Sequence, residues 1–330
     1  MSRRRFLQQT SALGAALTFG IPGTARAEPP PETTKIRLAR TISICLSPQY
    51  VAEELLRREG FTEVEYPETP HTGGSALTDG HADLTMEYAP ALVWKLDGGA
   101  RVVALSGVHT GCTAVITSKQ IKTFRDLKGQ RVAASAPGSG DHVFLSSMLA
   151  YVGIDPKAEI EWVFTQSVDN NMRTFIEGKA EALLAVPPQP QKLRDMGVGH
   201  VIVDGTHDRP WSQYICCIVA GSKDFVAKNP VATKRALRAI LKAADLCAEQ
   251  PEKIARMVVA KGFEPRYEIA LEVLKDLPYK AWRETSAEDA MRFHALRLHE
   301  VGMIKSTPEK IIEQGTDWRF LNELKKELKA

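Results

Sequence analysis

A strand, a glycine-rich turn and a helix follow one another within residues 128–153, and this stretch limits the possible folds most strongly. Residues 131–135 are short and apolar, and a glycine and a proline bound them, as expected for a buried strand of an α/β sheet. From Asp141 onward, apolar residues recur at helical spacing, and Gly153 is placed to end the helix. The stretch therefore predicts an α/β fold in which a helix begins directly after a strand.

The start of this helix is a candidate anion site. Its free backbone N–H groups and the positive end of the helix dipole favour negative charge, and Ser139 is the predicted N-cap residue. The dipole contributes only about 0.3–2 kcal/mol, whereas micromolar binding needs about 8 kcal/mol. Other residues around the ligand must therefore supply most of the binding free energy. The alternative is that Ser139 and Asp141 only cap the helix, in which case Asp141 repels an anion.

The first 27 residues have the features of an export signal. They contain four arginines, no acidic residue, an apolar run and an A-x-A ending at Ala27. Residues 2–8 resemble the twin-arginine motif, which directs folded proteins across the bacterial inner membrane. No later apolar run approaches the ~20 residues of a membrane span. We therefore expect cleavage near Ala27, a linker at 28–35, and a periplasmic protein that is not embedded in the membrane.

The charge balance argues against nucleic acid as a partner. The chain has 43 Lys and Arg against 40 Asp and Glu, and four of the arginines lie in the predicted signal. The remainder is therefore close to neutral. No long basic stripe with interleaved aromatic residues is present.

The five cysteines do not form a recognisable disulfide or metal-binding motif. They are too few and too scattered for a disulfide scaffold, and no C-x-x-C or C…H spacing indicates zinc. Cys216 and Cys217 are neighbours in an apolar run, so on a regular strand their side chains point to opposite faces. We therefore expect buried free thiols and no metal or cofactor.

Two strand-to-helix corners precede the opening stretch in the chain. The predicted strand at 36–45 leads into a helix at 48–59, and the strand at 82–86 leads into another helix. Such corners at the carboxyl ends of strands are where open α/β folds bind ligands. The polar and turn residues at or near these corners are Ser47, Gln49, Tyr50, Gly74, Ser75, Glu87 and Tyr88.

About 300 residues follow the predicted signal, which is more than a single hydrophobic core usually organises. We therefore expect two lobes. The pattern changes near Cys112 and again near Gln213, which predicts two crossings between lobes. We predict that residues 36–110 and 214–330 form a discontinuous lobe 1, with C-terminal helices, and that residues 111–213 form lobe 2.

Six segments, taken in order, carry a resemblance to a known family. They are T-F-R-D-L-K-G-Q-R-V-A from Thr123, G-S-G-D-H-V-F-L from Gly138, V-G-I-D-P from Val152, F-I-E-G-K-A-E-A-L-L-A from Phe175, K-N-P-V-A-T-K-R-A-L-R-A from Lys228 and T-D-W-R-F-L-N-E-L from Thr316. With them the chain resembles the periplasmic nitrate, taurine and aliphatic-sulfonate binding proteins of ABC transporters, a superfamily that includes thiamine-pyrimidine synthase relatives. The resemblance covers nearly all of residues 35–328.

The resemblance implies a type II periplasmic binding protein: two α/β lobes joined by two crossover segments, with the ligand in the interlobe cleft. It implies a monomer that closes on a small polar solute and delivers it to a membrane permease and its ATPase, without catalytic residues. The solute classes left open are a sulfonate, a taurine-like zwitterion, a nitrate-like anion and a pyrimidine. Glu87 disfavours a simple anion. Carried over by position, the ligand-binding residues are Ser47, Gln49, Tyr50, Gly74, Ser75, Glu87, Tyr88, Ser139, Gly140, Asp141, His142 and Gln213.

Two alternatives remain open at this stage. The pyrimidine synthases of this superfamily carry clustered cysteines that bind iron near the place that Cys216 and Cys217 occupy here, so the resemblance also allows an enzyme of that type. The other alternative is a metal-binding or sensor protein. It requires four possible ligands to converge, namely His71, Glu87, Cys112 and His142.

Overall fold

The computed structural model describes residues 28–41, 43–67 and 73–329. The predicted export signal at 1–27 and its cleavage site near Ala27 lie outside the described residues. Within the described ranges, none of the helices combines the length and hydropathy that a membrane crossing requires.

The strands and helices alternate along the chain, as predicted for an α/β protein, until a run of helices completes the C-terminal part. The strands are β1 Lys35–Arg37, β2 Glu63–Glu65, β3 Leu84–Tyr88, β4 Val102–Thr110, β5 Ala114–Thr117, β6 Arg131–Ala134, β7 Glu161–Phe164, β8 Ala182–Ala185, β9 His200–Asp204 and β10 Ile215–Ser222. The helices are α1 Ser47–Val51, α2 Glu53–Arg58, α3 Gly73–Thr78, α4 Ala89–Asp97, α5 Gly140–Tyr151, α6 Val168–Ile176, α7 Gln189–Asp195, α8 Lys223–Lys228, α9 Pro230–Glu249, α10 Pro251–Ala260, α11 Tyr267–Asp276, α12 Ala287–Glu300, α13 Pro308–Gly315 and α14 Arg319–Glu327.

The two lobes contain separate β-sheets. In lobe 1, β10 lies between β3 and β4 and is antiparallel to both, while β1 and β2 form a parallel pair. In lobe 2 the order is β7-β6-β8-β5-β9, with β5 antiparallel to β8 and β9. The β4–β5 and β9–β10 connections join the sheets. The predicted two-lobe α/β fold is thus confirmed, whereas the lobe boundaries at 110/111 and 213/214 stay a prediction.

The central strand β10 is buried along nearly its whole length because helices cover both faces of its sheet. Ile215, Ile218 and Ala220 pack in one cluster with residues of α4 and α12. Cys217 and Val219 pack in another cluster, which includes residues of α9. The side chains of β10 therefore divide between two layers of the core.

Several predicted boundaries were wrong. The strand predicted at 36–45 ends at Arg37, and Ile44–Leu46 form a turn of 3₁₀ helix instead. The helix predicted at 48–59 is divided at Ala52 into α1 and α2. Strand β3 extends two residues further than predicted, so Glu87 lies within the strand and not after it.

Two basic residues of α9 are largely buried in ion pairs. Lys234 and Arg238 keep only 15% and 11% of their side chains exposed, and both pair with Glu28 and Glu327. Arg238 also lies 2.6 Å from Glu59. These ion pairs fasten the segment before β1 to α9.

Candidate functional site

The carboxyl-terminal edge of the lobe 2 sheet faces lobe 1. Strand β6 is parallel to β7 and β8, so the segments that follow β6 and β8 leave the sheet at one edge. Ser43 of lobe 1 donates a hydrogen bond to the carbonyl of Pro187, just after β8, at 3.1 Å. The structure therefore brings both lobes together at the edge where an α/β sheet binds ligands.

The Gly-Ser-Gly bend before α5 points at lobe 1. A Cβ atom added to Gly138 lies 2.6 Å from Trp94 Nε1, and one added to Gly140 lies 2.9 Å from Tyr88 Cδ2. Gly138 has φ +78°, a conformation that favours glycine. Only glycine lets the lobes approach this closely at the bend.

The side chains of the bend are engaged with their own lobe. The Asp141 carboxylate accepts hydrogen bonds from the Ser135 backbone N–H and hydroxyl, both at 2.8 Å, and from Asn171 at 2.6 Å. Ser139 is the N-cap residue of α5, as predicted, but its hydroxyl bonds to Ala136 O and to Asp141 and does not cap the helix. The Asp141 charge therefore fixes the bend.

His142 is buried beside the bend. Its Nδ1 accepts a hydrogen bond from the Gly138 N–H at 3.1 Å, and its ring meets Trp162 and Phe164 edge-on. Burial lowers the pKa of His142, and the charge of Asp141 opposes this only in part. The imidazole is therefore a neutral hydrogen-bonding group at pH 7.

The predicted residues of the first corner hold lobe 1 together. The Gln49 amide donates to Ala39 O at 2.6 Å and accepts from the Met86 N–H at 2.8 Å. Ser47 donates to Ile44 O at 2.6 Å, and the Tyr50 hydroxyl bonds to the backbone of Thr41. These three side chains are almost fully buried.

The remaining predicted residues lie in three separate elements, β3, α3 and a 3₁₀ turn before β10. Glu87 is 9% exposed and accepts from the Tyr88 N–H at 2.9 Å, and its second oxygen lies 3.6 Å from Lys95 Nζ. Gly74 and Ser75 lie in α3, and Ser75 is half-buried. Gln213 is exposed, in a 3₁₀ turn.

A cluster of sulfur and nitrogen donors lies where lobe 1 passes into lobe 2. Cys45, His109, Cys112 and Cys217 place their donor atoms all within 4.8 Å of one another, and none is more than 3% exposed. Burial, and after it the neighbouring thiols, raises the pKa of the Tyr88 hydroxyl. Cys217 of β10 pairs directly with Tyr88 of β3, so the cluster lies beside Tyr88.

The thiols of the cluster interact with one another. The neighbouring thiols of Cys112 and Cys217 lower the pKa of Cys45 well below its usual value, and burial opposes this only in part. Burial raises the pKa of Cys112 and Cys217. Cys45 is therefore the thiol of this group that ionises first.

A fourth thiol joins the cluster because the strand is irregular. Cys216 Sγ lies 2.8 Å from Cys112 Sγ. The pairing of β10 with β4 shifts register on both sides of Cys217, as at a β-bulge, and Cys216 packs in the same core cluster as Cys217. The prediction that these neighbours point to opposite faces was therefore wrong, although all five cysteines are buried and free as predicted.

Sequence reasoning missed this cluster because its members are far apart in the chain. The signals that were present are His109-x-x-Cys112 in the first crossing and the Cys216-Cys217 pair in the second. In the part of the chain that the structure describes, the metal-ligating group contains neither Glu87 nor His142. Cys112 of the predicted set belongs to the group, and His71 lies outside the described residues.

A cavity of about 610 Å³ lies beside the cluster, between lobe 2 and α11. Cys112 lines it, and so do basic and acidic side chains from both lobes. Arg194 of lobe 2 pairs with Glu272 of α11 at 2.6 Å, and His207 lies 3.0 Å from Asp276. None of the described residues predicted for ligand binding lines this cavity.

Comparisons with known proteins agree with this architecture. The family model described as NMT1/THI5 like matches residues 57–254. No curated protein sequence matches the chain. The fold is similar to that of the periplasmic nitrate-binding protein NrtA from Synechocystis PCC 6803, with a TM-score of 0.77 and 16% identity over 91% of this chain and 90% of that chain.

Two sulfonate-binding proteins have the same fold. The alkanesulfonate-binding protein SsuA from Xanthomonas axonopodis pv. citri, bound to MOPS, gives a TM-score of 0.70 and 18% identity over 83% of this chain and 96% of that chain. The periplasmic aliphatic sulphonate binding protein SsuA from Escherichia coli gives 0.67 and 19% over 86% and 91%.

Proposed function

The chain belongs to the NMT1/THI5-like family, and from this premise we propose that it is the solute-binding component of an ABC importer. In this proposal a twin-arginine signal exports it, cleavage occurs near Ala27, and the protein works in the periplasm as a monomer. Lobe closure captures a small polar solute, which is then delivered to a membrane permease and its ATPase. The nitrate-binding and sulfonate-binding proteins of the same fold support this role.

The observation that carries the proposal is the close approach of the lobes at the Gly-Ser-Gly bend. Tyr88 and Trp94 of lobe 1 lie against Gly140 and Gly138 of lobe 2. The start of α5, with its unsatisfied N–H groups, thereby lies at the boundary between the lobes. A solute held here contacts both lobes, so binding favours the closed arrangement.

The predicted binding residues separate into two roles. We propose ligand contact for Tyr88, Gly140 and His142, together with Glu87, Gly74, Ser75 and Gln213. For Ser47, Gln49, Tyr50, Ser139 and Asp141 we propose a supporting role, because hydrogen bonds within their own lobe occupy their polar side-chain atoms.

The charges around the interlobe region support a solute with groups of both signs. Lys95 lies 3.6 Å from Glu87 and offsets the repulsion of an anion that Glu87 alone would cause. The charged residues of the neighbouring cavity include both basic and acidic side chains: Arg194, Asp204, Glu272, Lys275 and Asp276. A taurine-like zwitterion therefore fits this setting better than nitrate.

Thermal stabilisation of the protein by candidate solutes tests the function. The panel contains sulfonates, taurine, nitrate, pyrimidines and carboxylates, each at several concentrations. A bound solute at 100 times its Kd stabilises the native state by about 2.7 kcal/mol, so one class should raise the Tm in a saturable way. Absence of any shift across all classes contradicts the proposal.

The cysteine cluster supports one alternative function, that of an enzyme, and this alternative can be tested. An enzyme of the thiamine-pyrimidine-synthase type would convert a bound precursor into a pyrimidine, whereas a binding protein releases its solute unchanged. Recovery of the bound compound and its mass after prolonged incubation distinguishes the two functions.

A further inference from the structure

The donor atoms of the cysteine and histidine cluster come from three separate parts of the chain. Cys45 lies in the 3₁₀ turn Ile44–Leu46, His109 and Cys112 lie at and just after the end of β4, and Cys217 lies in β10. All four are fully or almost fully buried. Their convergence therefore depends on the whole fold of lobe 1 and on both crossings.

The His109 ring is oriented for coordination. Its Nδ1 lies 3.1 Å from the carbonyl oxygen of Thr110, so Nδ1–H donates to that carbonyl and Nε2 carries the lone pair. His109 Nε2 is buried and has no hydrogen-bond partner among the described residues. Metal-binding histidines typically show this arrangement, in which a backbone carbonyl fixes the ring and leaves the other nitrogen for the metal.

The spacing and the type of the donors fit a tetrahedral thiolate site. Bonds of ~2.3 Å from Zn²⁺ to sulfur at tetrahedral angles separate the sulfur atoms by about 3.8 Å. The donor atoms already lie within 4.8 Å of one another, so shifts of about 1 Å or less complete the site. Three sulfurs and one imidazole are the Cys₃His set of structural zinc sites.

We propose that Cys45, His109, Cys112 and Cys217 bind one Zn²⁺ ion at the junction of the two lobes. The three thiols release their protons to solvent when the ion binds, and no electron transfer is involved. Hard cations such as Mg²⁺ do not fit, because they require oxygen ligands. The cavity of about 610 Å³ that Cys112 borders is the route of entry.

A disulfide between Cys112 and Cys216 is the competing outcome. Their sulfurs are 2.8 Å apart, and a disulfide bond would shorten this to about 2.05 Å. Oxidation of Cys112 would remove one zinc ligand, so the two outcomes exclude each other. The zinc proposal does not rest on the solute-binding function, because zinc content is measured without any solute.

The test is the metal content of the mature chain, purified without chelators under anaerobic conditions and loaded with Zn²⁺. The expected result is one zinc per chain, resistant to gel filtration, with no binding of Mg²⁺ under the same conditions. X-ray absorption at the zinc edge should show three sulfur neighbours at about 2.3 Å and one nitrogen at about 2.0–2.1 Å. This measurement on the unaltered chain does not depend on the folding of variants.

Single substitutions identify the ligands. Cys45→Ala, Cys217→Ala and His109→Gln should each weaken zinc binding by more than the 10- to 100-fold that loss of an outer-shell partner causes. Cys247→Ala is the matched control, because Cys247 is equally buried but lies in α9 outside the cluster. Cys216→Ala should also retain one zinc.

Three results overturn the proposal. They are a zinc content far below one per chain, an absorption spectrum dominated by oxygen and nitrogen neighbours, and a Cys112–Cys216 disulfide in the anaerobically purified protein. Equal loss of zinc from Cys247→Ala and Cys217→Ala also contradicts the assigned ligands.

Discussion

Tyr88 of lobe 1 lies so close to Gly140 of lobe 2 that a Cβ atom at position 140 would be 2.9 Å from Tyr88 Cδ2. The absence of a side chain at this point lets the lobes meet. Because Gly140 is the first residue of α5, this contact couples the position of the helix start to the distance between the lobes.

Gly140→Ala should weaken solute binding without weakening the fold. Overpacking at Tyr88 opposes closure by about 1–3 kcal/mol, which raises the Kd at least ~5-fold. Alanine is otherwise acceptable at a helix start, so the free energy of unfolding should change little. Titration calorimetry with the solute from the panel measures the effect. Gly98→Ala is the control, because an added Cβ there meets only backbone oxygens of α4. Equal affinities of both variants would refute the role of this contact.

Asp141→Ala should destabilise lobe 2. It removes the acceptor of the half-buried Ser135 donors and of the buried Asn171 amide, and an unsatisfied buried group costs about 1–3 kcal/mol. Asp141→Asn retains an acceptor oxygen, so its free energy of unfolding should fall by less than that of Asp141→Ala. Chemical denaturation measures both, with the exposed Asp169→Ala as control. A loss no larger than that of Asp169→Ala would contradict the structural role of Asp141.

His294 should make the protein less stable in acid. Burial lowers its pKa to about 3, and its Nδ1 lies 3.0 Å from Ser147 Oγ. The unfolded state binds a proton near pH 6.5 that the folded state binds only near pH 3. Stability from this group is therefore complete above pH 6.5 and is lost as the pH falls toward 3.

Between pH 7 and pH 5 the loss from His294 amounts to about 2 kcal/mol. Denaturation of wild type and His294→Gln at both pH values isolates this contribution, since His142, whose pKa is also lowered, is present in both proteins. Parallel pH dependences would show that His294 is not a neutral buried group.

Local patterns predicted much of the fold, and long-range contacts account for most of the errors. Strand β6 and helix α5 were predicted to within one or two residues, because a short apolar run, a glycine turn and a helical repeat are all local signals. The prediction of a strand through residue 45 was wrong, because residues 44–46 form a buried 3₁₀ turn. An apolar run indicates burial, and burial alone does not distinguish a strand from such a turn.

The candidate site was harder to predict. The sequence indicated the bend at 138–140 and the residue Tyr88, because both lie near strand ends. It did not show that the polar side-chain atoms of Gln49 and Asp141 form hydrogen bonds within their own lobes. The cysteine cluster depends on a β-bulge in β10 and on the pairing of β10 with β4, and neither is visible in the spacing of the cysteines.

Lobe closure on a solute is the central claim, and small-angle X-ray scattering during a solute titration tests it most directly. The solute is the compound that raises the Tm in the panel. The account predicts that the radius of gyration falls and saturates at one equivalent per chain, and that Gly140→Ala requires more solute for the same change. A radius of gyration that stays constant at saturating solute would contradict capture between two closing lobes.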